Sequence, residues 1–362
     1  MRIIHCCDSI SVGGGIATFV NNLSIAQAVS HEVSVSVISS KESENRLIFP
    51  KHVGVIDFKK QEQGFSVRYP LKIFRFLCRN RYDVVHIHSS FLYYFLPVLF
   101  FHHKTKFIYT IHSDAVRENS SVWDKRFLAL KRWCFKKKWI LPVTISENSK
   151  RSFDDLYQLD STMIINGIPL AEVYHTTHKL SNFRISEKTK LLLHVGRITE
   201  AKNQVMLCEA VSQLINQGND LVLIIVGVNQ DNKIYQSIKG YLGQRIHYIG
   251  ERTDIIDLLK EADVMCLSSI WEGLPIVLLE SLSVSCIPIC TPVGGIPNVI
   301  TDGFNGILAL NTTVLEYKEA ISRYLSLSES DVLKMKENAK ASSYAYDIRQ
   351  TASQYINLYK AD

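Results

Sequence analysis

The most informative stretch of this sequence is Ser269–Ile–Trp–Glu–Gly–Leu–Pro–Ile–Val–Leu–Leu–Glu280. It places two carboxylates, Glu272 and Glu280, at the ends of an apolar segment opened by Gly-x-Pro. Because proline suits the first turn of a helix, the pattern predicts a loop carrying Glu272 and a helix starting near Pro275. Glu280 then falls among apolar residues, where a lone carboxylate is costly without a hydrogen-bond donor. Two interpretations stay open: an ordinary amphipathic helix, or a site where helix N–H groups hold phosphate and carboxylates bind sugar hydroxyls.

On both sides of this stretch, short apolar β-rich runs alternate with helical patterns, which is typical of parallel α/β sheets. The strands predicted in the first half are Arg2–Cys6, His31–Ile38, Val53–Phe58, Val84–His88, Lys106–Ile111 and Leu141–Ser146. The strands predicted in the second half are Lys190–Val195, Leu221–Val226, Arg245–Ile249, Asp263–Leu267 and Cys286–Cys290. A polar segment without clear periodicity, Ala171–Lys188, separates the two series.

We therefore expect two doubly wound parallel-sheet domains, residues 1–172 and 173–343. An amphipathic helix over residues 344–362 could close the second domain or cross back to the first. Sheets of this kind bind ligands at the carboxyl ends of their strands. If the two sheets face each other, they enclose an interdomain cleft, a common place for a binding site.

Length and composition are those of a globular protein with about two domains: 362 residues, 21% charged and 46% apolar. The opening residues, MRIIHCCDSIS, are typical of a first strand rather than a secretory signal. Phe91–Phe101 is strongly apolar but covers only about half of the ~20 residues that cross a bilayer. It is predicted to be a buried or membrane-surface helix, and no transmembrane segment is expected.

The eight cysteines lie mostly in apolar runs without a CxxC pair, which indicates reduced core residues of a cytoplasmic protein. Cys286 and Cys290, and the histidine pairs His86/His88 and His102/His103, come without a complete ligand set. The sequence therefore predicts no metal site.

The net charge is +6, and the positive charge is unevenly distributed: Lys125–Trp139 holds seven basic residues, interleaved with aromatic residues. The candidates for contact with an anionic membrane surface are Lys131, Arg132, Trp133, Lys136, Lys137, Lys138 and Trp139. A solvated helix face with an apolar inner stripe fits the same pattern. No motif resembles those of nucleic-acid-binding proteins, so no nucleic-acid partner is expected.

Four further patterns lie at the ends of predicted strands or shortly after them. Gly13–Gly14–Gly15 follows the first strand, and its backbone could approach a ligand closely, although a plain turn also fits. Arg197 and Lys202 flank the start of a helix after the strand Lys190–Val195, where they could clamp a diphosphate or be two surface cations. His112 ends an apolar strand and is either a cleft residue or a structural one. Gly294–Gly295 could shape one wall of a donor site, or be a turn.

Taken together, these motifs resemble the retaining glycosyltransferases of family 4, which have the GT-B fold. The order His-Val-Gly-Arg-x4-Lys-Asn over 194–203, then Glu-Gly-Leu-Pro-x4-Glu over 272–280, carries the resemblance, with Asn-Gly-Ile at Asn166–Ile168 before the polar segment. The resemblance implies two Rossmann-like domains facing a cleft. It also implies sugar transfer from a nucleotide-diphosphate sugar.

The resemblance also implies a role for each matching position. Arg197 and Lys202 would bind the donor diphosphate and Glu280 the ribose. Glu272 and His112 would be the catalytic residues near the transferred sugar. The remaining donor contacts would come from the backbone at Gly14, Gly15, Gly273, Leu274 and Ile276. The family's tryptophan in the C-terminal segment is missing here, where Tyr344 and Tyr346 stand nearby.

No DxD-like metal-binding signature is present, and Arg197 and Lys202 could neutralise the leaving diphosphate, so we expect a metal-independent enzyme without a cofactor. The family implies a saccharide or lipid-linked acceptor and a role in cell-surface polysaccharide synthesis (O-antigen, capsule or lipopolysaccharide). The enzyme would then be peripheral on the inner face of the cell membrane.

Two alternatives compete with this interpretation. A glycoside hydrolase needs its two carboxylates roughly 5–10 Å apart, whereas eight helical residues rise by about 12 Å, and it has no need for Arg197 and Lys202. A non-catalytic nucleotide-sugar-binding subunit would keep the diphosphate clamp but could lose Glu272 or His112.

Overall fold

The computed structural model describes residues 1–11, 13–39, 46–60, 66, 68–88, 92–99, 104–170 and 180–361. The chain divides into two compact units. Unit 1 consists of Met1–Gly167 together with Ile348–Asp362, and unit 2 of Ile168–Asp347. The boundary thus falls at Gly167/Ile168, where the sequence analysis had placed it at 172/173, and the last helix is grouped with unit 1.

Unit 1 is built on a seven-stranded parallel sheet in the order β3-β2-β1-β4-β5-β6-β7. Its strands are β1 Arg2–Cys7, β2 Glu32–Ser39, β3 Gly54–Lys60, β4 Val84–Ile87, β5 Lys106–Ile111, β6 Leu141–Thr144 and β7 Thr162–Met163. The chain leaves β1 in one direction and returns beside it as β4, so the strand order reverses between these two strands. Ligands of open α/β sheets bind at this switch point, beyond the carboxyl ends of the strands.

The helices α1 to α6 cover this sheet, and their buried faces form its core. They are α1 Gly15–Ala28, α2 Arg68–Arg79, α3 Leu96–Leu99, α4 Ala115–Glu118, α5 Val122–Lys136 and α6 Glu147–Tyr157. The described part of the apolar segment 91–101 is a 3-10 turn at Leu92–Tyr94 followed by α3, and both are buried in the core. Of the two predictions for this segment, a buried helix or a membrane-surface helix, the structure of its described part agrees with burial. Within the described ranges, no helix is both long and apolar enough to cross a membrane.

Unit 2 contains a six-stranded parallel sheet in the order β10-β9-β8-β11-β12-β13. Its strands are β8 Lys190–Val195, β9 Leu221–Val226, β10 Ile246–Tyr248, β11 Val264–Leu267, β12 Ile287–Cys290 and β13 Ile307–Leu308. The helices around it are α7 Gln204–Asn216, α8 Asn232–Lys239, α9 Ile255–Glu261, α10 Ile276–Ser283, α11 Val314–Leu325 and α12 Glu329–Ser343. Its strand order reverses between β8 and β11, so the loops after these two strands meet at the switch point.

The last helix, α13 Ile348–Lys360, packs against α1 within unit 1 and buries Tyr355 and Tyr359. None of the eight cysteines, all of which lie in the described ranges, forms a disulfide bond, and seven of them are buried. Cys78, the exception, is exposed on α2.

Candidate functional site

The two loops at the switch point of unit 2 are joined by direct hydrogen bonds. The backbone N–H of Ile270 donates to the carbonyl oxygen of Ala201 at 2.8 Å. The hydroxyl of Ser268 donates to the carbonyl oxygen of Lys202, also at 2.8 Å. The loop after β8 and the loop after β11 therefore form one surface, and side chains about 70 residues apart in sequence come into contact on it.

Lys202 and Glu272 are the side chains that meet there. The ammonium of Lys202 lies 2.5 Å from Oε1 of Glu272, and the hydroxyl of Ser269 donates to the same oxygen at 2.6 Å. Both side chains are largely shielded, with 17% of Lys202 and 11% of Glu272 exposed. The residue predicted to bind diphosphate and the residue predicted to bind the sugar thus form an ion pair.

Glu280 lies within α10, the helix that follows the loop carrying Glu272. Its side chain is partly exposed, and no described residue pairs with its carboxylate. Burial among protein atoms raises the pKa of this carboxyl to about 7. α10 begins at Ile276 directly after Pro275, with no side-chain cap and no acidic residue in its first turn. Glu280 and the start of α10 therefore offer unsatisfied hydrogen-bonding groups, as a ligand site requires.

The loop after β12 supports the loop that carries Glu272. The N–H of Gly295 donates to the carbonyl of Gly273 at 2.6 Å, and the hydroxyl of Thr291 donates to the carbonyl of Ser269 at 2.6 Å. Gly294 has φ +58°, and a Cβ there would lie 2.1 Å from the carbonyl oxygen of Glu272. Only glycine fits this position, so the glycine pair is both a turn and a support for the Glu272 loop.

Arg197 is exposed, and its guanidinium donates to the amide oxygen of Gln230 at 3.2 Å. Among the described residues, no hydrogen bond or ion pair joins it to Lys202 or Glu272. The loop that carries it is held by Gly227, a residue that sequence analysis missed. Gly227 has φ +148°, and a Cβ there would lie 2.0 Å from the carbonyl oxygen of Gly196. The available signal was a glycine directly after the continuous apolar strand β9.

His194, the first residue of the His-Val-Gly-Arg motif, is structural. Its Nδ1 lies 2.9 Å from the carbonyl oxygen of Cys266, and its Nε2 lies 3.2 Å from the side-chain nitrogen of Gln204. Burial lowers the pKa of His194 to about 4, so the ring is neutral at physiological pH. His194 thereby ties β8 to β11 and to the start of α7.

In unit 1, the glycine-rich loop leads into the start of α1. Gly13 has φ +75°, Gly14 is the N-cap of α1, and the helix has neither a side-chain cap nor an acidic residue in its first turn. No described atom lies within 4 Å of an ideal Cβ on Gly15. There is therefore open space beside Gly15, whereas a Cβ on Gly14 would lie 3.3 Å from the carbonyl oxygen of Ser11. The role of the two glycines in donor binding stays a prediction.

His112 directly follows β5 and is 8% exposed. Its backbone N–H donates to Oε1 of Glu118 at 2.7 Å, and the N–H of Ser113 donates to the same oxygen at 3.0 Å. Its Nε2 lies 3.0 Å from Nδ1 of His88. Burial lowers the pKa of His112 to about 3, which makes it a neutral hydrogen-bonding group.

Three histidines of unit 1 form a cluster that the sequence analysis did not find. One ring nitrogen from each of His5, His86 and His88 lies within 4.8 Å of the others, and all three rings are buried. The sequence places His86 and His88 two residues apart, but His5 lies on a strand more than 80 residues away in sequence. The other histidine pair, His102/His103, lies outside the described residues.

The basic-aromatic segment corrects one prediction. Lys131 had been assigned to a membrane surface, but it is 1% exposed, and its ammonium lies 2.6 Å from Asp124 Oδ1 and 2.9 Å from Asn119 Oδ1. It occupies the inner face of α5 because Asp124, seven residues earlier on the same face, supplies a counter-charge. The other candidates, Arg132, Trp133, Lys136, Lys137, Lys138 and Trp139, are exposed or partly exposed.

Two protein-family models match the chain. The model described as glycosyl transferases group 1 matches residues 177–342, and the model described as glycosyltransferase family 4 matches residues 13–172. Together the two matches cover most of both units.

Two curated relatives are named for transfer to undecaprenol-linked acceptors. The N,N'-diacetylbacillosaminyl-diphospho-undecaprenol alpha-1,3-N-acetylgalactosaminyltransferase of Campylobacter jejuni is 26% identical over 48% of this chain. The UDP-Gal:alpha-D-GlcNAc-diphosphoundecaprenol alpha-1,3-galactosyltransferase of Escherichia coli is 24% identical over 66% of this chain. The matches span 45% and 65% of the lengths of these two proteins.

Among solved structures, the Anabaena protein HepE in complex with UDP and glucose resembles the whole chain. It has a TM-score of 0.82 and 18% identity, and the match covers 100% of both chains. With one seven-stranded and one six-stranded parallel sheet, the chain has the GT-B fold.

Proposed function

Because the chain belongs to the group 1/family 4 glycosyltransferases, we propose that it is a retaining enzyme that transfers a sugar from a nucleotide-diphosphate sugar to a saccharide or lipid-linked acceptor. The observation that carries this proposal is the contact between Lys202 and Glu272 at the switch point of unit 2, beside the uncapped start of α10. A cation, a carboxylate and free helix N–H groups are the partners that a sugar diphosphate needs.

The donor diphosphate would bind to Lys202, Arg197 and the backbone at Gly273, Leu274 and Ile276. An incoming diphosphate competes with Glu272 for the ammonium of Lys202, and this exchange would free the Glu272 carboxylate to accept hydrogen bonds from the sugar. Glu280, whose carboxylate has no partner among the described residues, would accept from the ribose hydroxyls. In this proposal the two carboxylates bind different parts of the donor: Glu272 the transferred sugar and Glu280 the ribose.

Bond breaking places negative charge on the departing diphosphate, and preorganised cations and N–H groups stabilise charge that grows in the transition state. Lys202, Arg197 and the start of α10 can supply this stabilisation, which supports a mechanism without a metal ion.

Retention would follow from attack on the face that the diphosphate leaves, with a departing phosphate oxygen taking the acceptor proton. For Gly14, Gly15 and His112 of unit 1, we propose the donor contacts that the family resemblance implies. A glycoside hydrolase has no use for these cations.

Two relatives are named as transferases that act on undecaprenol-diphosphate-linked sugars, which favours a lipid-linked acceptor in cell-surface polysaccharide synthesis. Six exposed cations of the α5 region (Lys125, Arg126, Arg132, Lys136, Lys137 and Lys138), with Trp133 beside them, fit work at an anionic membrane surface on the cytoplasmic side. Lys131 is not part of this surface.

Screening identifies the donor and tests the activity. UDP-, GDP- and ADP-sugars are first ranked by the thermal stabilisation they give the protein, since a ligand of the folded state raises the melting temperature. The best donors are then incubated with polyprenyl-diphosphate-linked sugars and with free saccharides. Transfer to one of these acceptors supports the proposal. Tight binding without transfer to any acceptor would instead identify a non-catalytic binding subunit.

A further inference from the structure

A continuous array of four buried side chains, one amide and three imidazole rings, lies within unit 1. It is formed by Gln27 of α1, His5 of β1, His88 directly after β4 and His112 directly after β5. The four side chains are at most 8% exposed. None of the roles proposed for the donor site uses Gln27, His5 or His88.

Each member of the array is hydrogen-bonded to the next. Oε1 of Gln27 lies 2.8 Å from Nε2 of His5, and Nδ1 of His5 lies 3.0 Å from Nε2 of His88. Nδ1 of His88 then lies 3.0 Å from Nε2 of His112. Burial lowers the pKa of each of these histidines, to about 4 for His5 and about 3 for His112, so all three rings are neutral. A neutral imidazole has one N–H donor and one acceptor nitrogen.

Because every ring both donates and accepts, the direction of one hydrogen bond fixes the direction of all the others. The side-chain oxygen of Gln27 faces His5, while its nitrogen donates towards the hydroxyl of Tyr359 at 3.5 Å. Tyr359 is held in place in turn, with its hydroxyl 2.6 Å from Nδ1 of His86. An amide oxygen can only accept, so His5 must carry its proton on Nε2.

The position of the proton on His5 then determines the position of the proton on His88 and on His112. His5 Nδ1 accepts from His88 Nε2–H, and His88 Nδ1 accepts from His112 Nε2–H. Nδ1 of His112 is left as a bare acceptor, and no described residue pairs with it. The edge of Phe19 packs against the ring of His112 at 5.5 Å, and Glu118 holds its backbone, so the ring has little freedom to turn.

We propose that His5 and His88, anchored by Gln27, are positioning residues that hold His112 in the Nε2–H tautomer and so present its Nδ1 as a hydrogen-bond acceptor. The group that His112 binds must then be a donor, such as a sugar hydroxyl, and not a carboxylate. Only the identification of that group with a hydroxyl of the donor sugar rests on the proposed function. The tautomer itself is a property of the folded protein without substrate.

NMR of protein labelled with ¹⁵N-histidine reads the tautomer directly, because a protonated and a bare ring nitrogen differ widely in chemical shift. The His112 signals are assigned by their loss in His112→Gln. In the wild type we expect Nε2 of His112 to be protonated and Nδ1 to be bare. His5→Leu removes the acceptor of His88, which frees His88 to donate from Nδ1. At least half of His112 should then shift to the Nδ1–H tautomer, although the substituted side chain is separated from His112 by the ring of His88.

Gln27→Met removes the anchoring acceptor with little change in volume, and it should produce the same shift if His5→Leu fails to fold. His31→Leu, a histidine of unit 1 outside the array, is the matched control and should leave the His112 signals unchanged. The proposal is overturned if wild-type His112 carries its proton on Nδ1, or if a folded His5→Leu or Gln27→Met keeps the wild-type tautomer. A stoichiometric metal ion bound to His5 and His88 in the purified protein would also overturn it. A failed transfer assay would refute the enzyme and leave this result standing.

Discussion

The ammonium of Lys202 and the carboxylate of Glu272 share a hydrogen bond of 2.5 Å across 70 residues of sequence. The contact joins a residue proposed to bind phosphate to a residue proposed to bind sugar. A donor that draws Lys202 onto its diphosphate would release Glu272 towards its sugar. Binding of one half of the donor would thereby prepare the site for the other half.

Lys202→Met should weaken the binding of free nucleoside diphosphate. A hydrogen bond to a charged group contributes about 1.5–3 kcal/mol, so the dissociation constant should rise by about 10- to 100-fold. Isothermal titration calorimetry with UDP, or with the diphosphate of the preferred donor, measures it. Lys239→Met, at an exposed lysine of the same unit, is the control and should bind like the wild type. An unaltered dissociation constant for Lys202→Met would remove the phosphate role.

Gly294→Ala should damage the site through the backbone of Glu272. The new Cβ would come 2.1 Å from the carbonyl oxygen of Glu272, so the loop after β11 must move. Gly303 is a matched control because it also has positive φ, at +74°, but has no described atom within 4 Å of an added Cβ.

Gly303→Ala should cost only the backbone strain of a left-handed residue, about 1–2 kcal/mol, and keep its turnover. Gly294→Ala should lose more stability in urea denaturation and most of its turnover. Equal losses of stability and activity in the two variants would show that the contact with Glu272 does not matter.

The raised pKa of Glu280 predicts that the difference in stability between the wild type and Glu280→Gln depends on pH. Its folded-state pKa of about 7 lies above the ordinary value of 4.5, so between these values the folded state binds more protons than the unfolded state. The free energy of unfolding contributed by this group therefore falls as pH rises from 4.5 to 7. Glutamine does not titrate, so Glu280→Gln does not lose this stability as pH rises. The free energy of unfolding of Glu280→Gln relative to that of the wild type should therefore be higher at pH 8 than at pH 5, by at most about 3 kcal/mol.

Urea denaturation of the wild type and of Glu280→Gln at both pH values measures this difference. Glu118, whose carboxyl pKa is also raised to about 7 by burial, is present in both proteins and cancels in the comparison. A gain that is the same at pH 5 and pH 8 would place the carboxyl of Glu280 in an ordinary, solvated environment.

Substitutions of Lys131, which is buried, and of Lys137, which is exposed, should have opposite effects on stability and on membrane binding. Lys131→Met leaves Asp124 buried without its counter-charge and should cost about 3–5 kcal/mol of stability. It should not change binding to anionic lipid vesicles. Lys137→Glu, on the exposed side, should leave stability within about 0.5 kcal/mol and reduce vesicle binding severalfold in a sedimentation assay. Unchanged vesicle binding by Lys137→Glu, and by the same change at Lys136, would remove the membrane surface.

The sequence predicted the features that repeat along the chain. Continuous apolar runs such as Leu221–Val226 indicated buried parallel strands, and Gly-x-Pro placed the start of α10. The two-residue edge strands β7 and β13 were missed because two residues show no periodicity. These are the features for which local pattern carries too little information.

Contacts between distant segments could not be predicted in the same way. The Lys202–Glu272 pair depends on two loops meeting at a switch point, and the histidine array on three strands and a helix of unit 1. Lys131 was assigned to the surface because basic residues surround it in sequence. Its burial depends on two acceptors for its ammonium: Asp124, seven residues earlier on the same helix face, and Asn119, which precedes the helix.

The most direct test of the proposed site compares transfer and binding in the wild type and Glu272→Gln. Sugar transfer from the preferred nucleotide-sugar to a polyprenyl-diphosphate-linked acceptor is measured beside the dissociation constant of the free nucleotide. We predict that Glu272→Gln lowers kcat by at least about 100-fold, a loss of about 2.7 kcal/mol of transition-state stabilisation. Because Lys202 is then free of its carboxylate partner, nucleotide binding should be unchanged or tighter. Undiminished transfer by Glu272→Gln would contradict the proposal.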